Sequence, residues 1–138
     1  MIQGYSSDLT VAAGAVYPIN NITLKKGCSV VQSGSSSFQL NQRGVYLVHY
    51  DGYATASTAG GIVSTQLYIN GVAQPEAVST FEAADVADAG ALHFETCVQV
   101  ANNNCNCNLT SSPTVLQFMN NGIAVNEAHI NVVITKLF

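Results

Sequence analysis

Charge is what this sequence has least of. Four of its 138 residues are Lys or Arg and eight are Asp or Glu, so charged residues make up 9 %, against ~25 % in an average domain. Lys25, Lys26, Arg43 and Lys136 are the whole basic complement. They form no patch able to neutralise a phosphate backbone, which argues against nucleic-acid binding. Long apolar runs are also missing, and nothing approaches the ~20 residues a membrane-spanning helix needs, so no membrane insertion is expected. The start, Met1-Ile2-Gln3-Gly4-Tyr5, has no basic stretch leading into an apolar one, so no secretory signal is expected. Four cysteines are too few for a dense disulfide framework, and a chain of this length buries enough core to fold without one. Helical periodicity is almost absent.

What remains is a neutral, apolar chain. Hydrophobic residues make up 48 %, and the polar balance is Ser, Thr, Asn and Gln. A disordered chain shows the reverse, high charge with few apolar residues. A surface with few charges has little protection against association, and permanent interfaces are apolar and charge-poor. The composition therefore predicts a self-associating domain.

Alternation with period two runs through the chain and predicts strands. Val11–Tyr17 reads as the first, stopped by Pro18. Cys28–Gln32 and Phe38–Leu40 flank a Gly/Ser turn at 33–37. Val45–Ala56 is the clearest strand. Tyr46, Val48, Tyr50, Gly52 and Ala54 lie on one of its faces, and Val45, Leu47, His49, Asp51 and Tyr53 on the other. Ile62–Ile69 runs into Asn70-Gly71, a dipeptide suited to a tight hairpin turn, and Val72–Val78 returns with Pro75 marking an edge. Residues 79–90 fit a short helical turn capped by Ser79 and Glu82 or a long loop. Ala91–Val100, Val115–Met119 and His129–Leu137 complete the set. The expected class is all-β, a β-sandwich or jelly roll of about eight to ten antiparallel strands.

Three groups of residues invite a chemical reading. Cys97, Cys105 and Cys107 allow a disulfide, a metal site completed across subunits, or, preferred here, plain thiols; three thiolates are one ligand short of a structural zinc set. His49, His93 and His129 fall one per strand with no nucleophile motif beside them. They read as half-buried or interface histidines, with a pH-sensitive interface as a lesser reading. His93, Glu95 and Cys97 share a strand face. Glu82, Asp85 and Asp88 read as a solvated acidic loop rather than a calcium site. Asn21-Ile22-Thr23 and Asn108-Leu109-Thr110 match the glycosylation pattern by chance, and Lys25-Lys26 reads as a solvated turn. No enzyme activity and no cofactor are expected.

Gly44-Val45-Tyr46-Leu47-Val48-His49-Tyr50 resembles the third-strand motif of the TNF/C1q-like jelly-roll superfamily, the globular heads that cap collagen-like stalks. Gln66-Leu67-Tyr68-Ile69-Asn70-Gly71-Val72 resembles the hairpin that follows it. Ile130-Asn131-Val132-Val133-Ile134-Thr135-Lys136-Leu137-Phe138 resembles its closing strand, and Gly90 opens a strand like the one before the closing hairpin. The resemblance covers the chain from about Pro18 onward. No collagen-like Gly-x-y stretch precedes it. In this the chain looks like bacteriophage and Gram-positive bacterial members of the superfamily.

The resemblance implies a homotrimer, packed on strand faces near Tyr46, Leu47, Val48 and Tyr50. It implies a structural role on a virion surface as a capsid decoration, head-fibre or fibre-tip protein, with a bacterial cell surface as the alternative. The partners implied are other copies of the chain, other virion proteins such as the capsid, and a host glycan or receptor. A carbohydrate- or receptor-binding module is the competing function. Residues 1–16 are expected to be a docking segment and first strand, and 17–138 the jelly-roll domain.

Overall fold

The computed structural model describes residues 1–101 and 113–138. Ten strands occupy them: β1 Ile2–Val11, β2 Asn21–Lys25, β3 Val30–Ser33, β4 Ser37–Leu40, β5 Gly44–Ala56, β6 Gly61–Ile69, β7 Val72–Ala83, β8 Ala89–Val100, β9 Thr114–Met119 and β10 Val125–Lys136. They build two five-stranded sheets. One, here called sheet A, has the order β2-β1-β10-β5-β8, and sheet B has the order β3-β4-β9-β6-β7. Every pairing is antiparallel. Sequence neighbours pair only at β1-β2, β3-β4 and β6-β7. The other connections cross from sheet to sheet, which is what makes the sandwich a jelly roll.

The alternating pattern explains the core. On β5, Tyr46, Val48, Tyr50 and Ala54 are fully buried while Asp51 and Tyr53 are exposed. Leu92, Phe94 and Val98 of β8 and Ile130, Val132 and Ile134 of β10 face the same interior. Sheet B answers with Phe38, Leu40, Val63, Leu67, Leu116 and Phe118. Tyr50 is the hub. It stacks on Phe94 with ring centroids 5.0 Å apart and planes 3° from parallel, and it tilts against Phe118 at 5.1 Å. Aromatic packing of this kind adds to the gain from area burial.

Two local expectations hold for reasons visible in the backbone. Asn70 and Gly71 take φ of 50° and 80°, the left-handed pair that a two-residue hairpin requires. Pro75 lies on β7, the outermost strand of sheet B, where a missing N–H costs no ladder bond. Gly52 answers a different need. A Cβ there would run into the carbonyl oxygen of His129, where a bulge between Asn126 and His129 brings β10 close to β5.

Elsewhere the structure departs from the pattern. The first strand is Ile2–Val11, not Val11–Tyr17, and it is an interior strand of sheet A, between β2 and β10. Ile2, Leu9 and Val11 are core residues. Residues 12–20 instead cross to sheet B, where Val16 bridges Met119 and the Tyr17 amide donates to the Phe118 carbonyl at 2.7 Å. Asn21–Lys25 forms β2, an edge strand exposed along its length; its period-two pattern is invisible because neither face is buried. The ambiguous stretch at 79–90 holds no helix. β7 continues to Ala83, and a short turn leads into β8.

Candidate functional site

The cross-strand register of sheet A decides what lies on its outer face, the one turned away from the core. Val133 of β10 pairs with Gln3 of β1 and His49 of β5, and His49 pairs with Glu95 of β8. In the next row Asn131 lies between Tyr5 and Asp51, and Asp51 pairs with His93. His129 pairs with Tyr53 at one end, and Thr135, Leu47 and Cys97 form a row at the other. All three histidines of the chain therefore meet on one face.

The side chains are in contact. The His49 and His93 rings meet edge to face at 5.1 Å. His49 Nδ1 lies 3.3 Å from Glu95 Oε2, and His93 Nδ1 lies 4.0 Å from Asp51 Oδ1. These side chains stay 34 % to 59 % exposed. His129 has aromatic rather than acidic neighbours. It stacks on Tyr53 at 5.6 Å and 13°, and on Tyr5 at 6.1 Å and 26°. The face is thus a band of imidazole and phenol rings, with aliphatic side chains at Leu47 and Val133 and carboxylates at Asp51 and Glu95. Leu47 and Val133 are half-buried, while Tyr53 is 53 % exposed.

Of the four residues expected at the trimer interface or core, Tyr46, Val48 and Tyr50 point into the sandwich with 0 % exposure. Leu47 alone lies on the outer face, because side chains alternate along β5. Tyr46 is further tied down by donating its hydroxyl to the Gln42 carbonyl at 2.6 Å. Burial pushes the phenol pKa of Tyr17, Tyr46 and Tyr50 upward, most strongly at Tyr50. In Tyr50 the hydrogen bond to Thr65 works against that rise and the neighbouring Tyr17 adds to it.

Cys28 and Cys97 are exposed, Cys97 on the outer face of sheet A. Cys105 and Cys107 lie outside the described residues, and so does any pairing with them, as does the Asn108 sequon. Among the described residues, no three His, Cys, Asp or Glu side chains gather as metal ligands. Asp85 and Asp88 make a local turn in which the Asp85 amide donates to Asp88 Oδ2 at 2.9 Å. Asn21 and Thr23 lie on the exposed edge strand β2, where Thr23 Oγ1 donates to the Gln3 carbonyl.

The histidine and aromatic band was half visible beforehand. Alternation places His49, Asp51 and Tyr53 on one face of β5, and His93, Glu95 and Cys97 on one face of β8. That these faces are adjacent, and joined by His129 and Tyr5, depends on pairings between strands far apart in sequence.

Among the described residues no helix is long and apolar enough to cross a membrane. No protein-family model matches the chain, and no curated protein matches its sequence. Solved structures do match in shape. The globular domain of zebrafish complement 1qA superposes with a TM-score of 0.69 at 6 % identity, over 99 % of this chain and 96 % of that one. The Eiger TNF of S. frugiperda gives 0.68 at 12 % identity, over 99 % and 92 %. The vertex protein P5 of PRD1 gives 0.60 at 17 % identity, over 99 % and 96 %. Two five-stranded antiparallel sheets, crossed connections and superposition along nearly the whole chain lead to one conclusion: this chain has the TNF/C1q-like jelly-roll fold.

Proposed function

We propose that this chain is a non-enzymatic structural module that assembles as a homotrimer through the outer face of sheet A and stands on a bacteriophage virion as a capsid decoration or head-fibre protein. The observation that carries the reading is that face itself. It presents Tyr5, Leu47, Tyr53, His129 and Val133 together on a chain with only 9 % charged residues. Aromatic-rich, charge-poor surfaces of this kind are what permanent interfaces bury. The trimer is the assembly implied by the superfamily resemblance, and the virion setting draws on the likeness to the PRD1 vertex protein. Sheet B and the loops would then face outward, toward other virion proteins or a host surface.

Light scattering on a sizing column tests the assembly. The expected mass is that of three subunits, unchanged by reductant or chelator, and Val133→Glu should reduce it to one. A single-subunit mass for the native chain would refute the trimer. Stoichiometric recovery of the protein on purified virions tests the setting.

A second reading, a glycan- or receptor-binding module, draws on sheet B. There the Tyr68 hydroxyl donates to Asn121 Oδ1 at 3.1 Å, Asn121 Nδ2 donates to Gln66 Oε1 at 2.7 Å, and Gln66 Nε2 donates to the Gln74 carbonyl at 2.9 Å. This chain of amides fixes an exposed, neutral surface suited to sugar hydroxyls. Saturable binding on a glycan array, lost in Tyr68→Ala, would favour it.

A further inference from the structure

The outer face of sheet A carries its own charge balance. We infer that protonation of His49 and His93 tightens the assembly, so that the trimer is a proton-stabilised interface, firmer in mild acid than in mild base. This rests on the reading that sheet A is the surface covered by other copies of the chain.

Each of the two histidines lies beside one carboxylate of its own subunit, His49 beside Glu95 at 3.3 Å and His93 beside Asp51 at 4.0 Å. When the histidines are neutral, the two carboxylates leave each copy of the face with a net negative charge. Around an axis, three such faces bring like charges together while removing the water that screens them. Burying unpaired charge is costly, and burying a paired charge costs less. Protonation converts both neighbours into ion pairs and brings the four groups to zero net charge. In a free subunit these side chains are one-third to one-half exposed or more, so solvent already screens the carboxylates.

The other groups on the face do not reverse the sign. β8 adds the Cys97 thiol and β5 the Tyr53 phenol; β1 adds Tyr5, and β10 adds His129. The register puts Asn21 and Leu24 of β2 next to Tyr5 and Gln3. Asp8 and Glu127, at φ of 53° and 50°, sit in the irregular stretches near the Tyr53 end. They add negative charge and so strengthen the demand for protons. His129 is held between two tyrosine rings.

The sign follows from linkage. Because each histidine sits beside a carboxylate, association that covers the face is stronger where the histidines carry charge and weaker where they do not. A histidine that holds its proton about tenfold more tightly in the assembly tightens association by about tenfold across its titration.

Subunit exchange between two fluorescently labelled batches of full-length protein measures this directly. Exchange is expected to be at least about tenfold slower at about pH 5.5 than at about pH 8, the range over which histidine changes charge. H49Q/H93Q should exchange at both pH values as fast as the native chain does in mild base. D51N/E95Q should reverse the trend, slow in mild base and faster in acid, because its protonated histidines lack partners. All four positions are on the surface, and far-UV circular dichroism checks that both variants fold. A native trimer whose exchange is unchanged or accelerated by acid would overturn the inference and leave the trimer standing. A single-subunit mass at both pH values would overturn the trimer reading and this inference with it.

Discussion

Tyr50 and Thr65 share a hydrogen bond in the middle of the sandwich, hydroxyl to Oγ1 at 3.1 Å, with both residues at 0 % exposure. Tyr50 comes from sheet A and Thr65 from sheet B, so this polar contact ties the two layers inside the core. Tyr17 adds a second bond close by, donating to the Ser64 carbonyl at 3.1 Å. A buried hydroxyl left without its partner forfeits the water it gave up on folding.

Tyr50→Phe should therefore destabilise the domain by about 1–3 kcal/mol, although it removes a single oxygen. The double variant Y50F/T65V should cost less than the sum of its single variants, because it strands no hydroxyl. Urea unfolding of the three variants measures this. Additive costs would show that the two hydroxyls do not depend on one another.

The buried phenols also fix an alkaline limit. Tyr17, Tyr46 and Tyr50 hold their protons above the ordinary phenol value of 10.0, chiefly because burial penalises the charged form. In the unfolded chain they ionise near that value. Their contribution to stability is thus fully present below about pH 10 and is lost as pH rises beyond it. In an alkaline titration their share of the ultraviolet tyrosinate signal should appear together with loss of β-sheet circular dichroism. Ionisation of all six tyrosines in a still-folded protein would contradict this.

Deleting Met1–Thr10 should abolish folding rather than free the domain from its scaffold. The deletion removes most of β1, leaves β10 with β5 as its one partner, leaves β2 with none, and exposes the core positions vacated by Ile2 and Leu9. Expression of the truncated chain should give insoluble protein or a chain without sheet signal. A soluble, folded product would support residues 1–16 as a separable docking segment.

Cys97 reports on whether the outer face of sheet A is covered. It shares a row with Leu47, whereas Cys28 is exposed in the turn leading to β3. In reduced protein, Cys28 should react quickly with a thiol reagent, and Cys97 should react slowly in the trimer but quickly in Val133→Glu. Mass spectrometry of the labelled peptides separates the two. Equal protection of Cys97 in both proteins would place it outside the interface.

The sequence by itself determined the class and the facing. Alternation assigns Tyr46, Val48 and Tyr50 to one side of β5 and Leu47, His49 and Asp51 to the other. The Asn70-Gly71 turn and the edge position of Pro75 follow from local backbone chemistry, since φ and a missing N–H belong to single residues. The motif at Gly44–Tyr50 carried the superfamily resemblance, and the fold agrees with it. Tyr46, Leu47, Val48 and Tyr50 are expected together as trimer interface or core, and the closure of sheet B puts Tyr46, Val48 and Tyr50 in the core of the subunit and Leu47 on the outer face. Tertiary structure alone decided the rest. β1 was missed because its Gly4 and Ser6 are small residues buried in an interior strand, and β2 because neither of its faces is buried. Above all, three histidines scattered one per strand became a single surface through pairings of β5 with β8 and β10. Periodicity is a local property that fixes which way a side chain points. Register between strands far apart in sequence, from Thr55 with Ala89 to Tyr46 with Lys136, is set only when two sheets close on a common core.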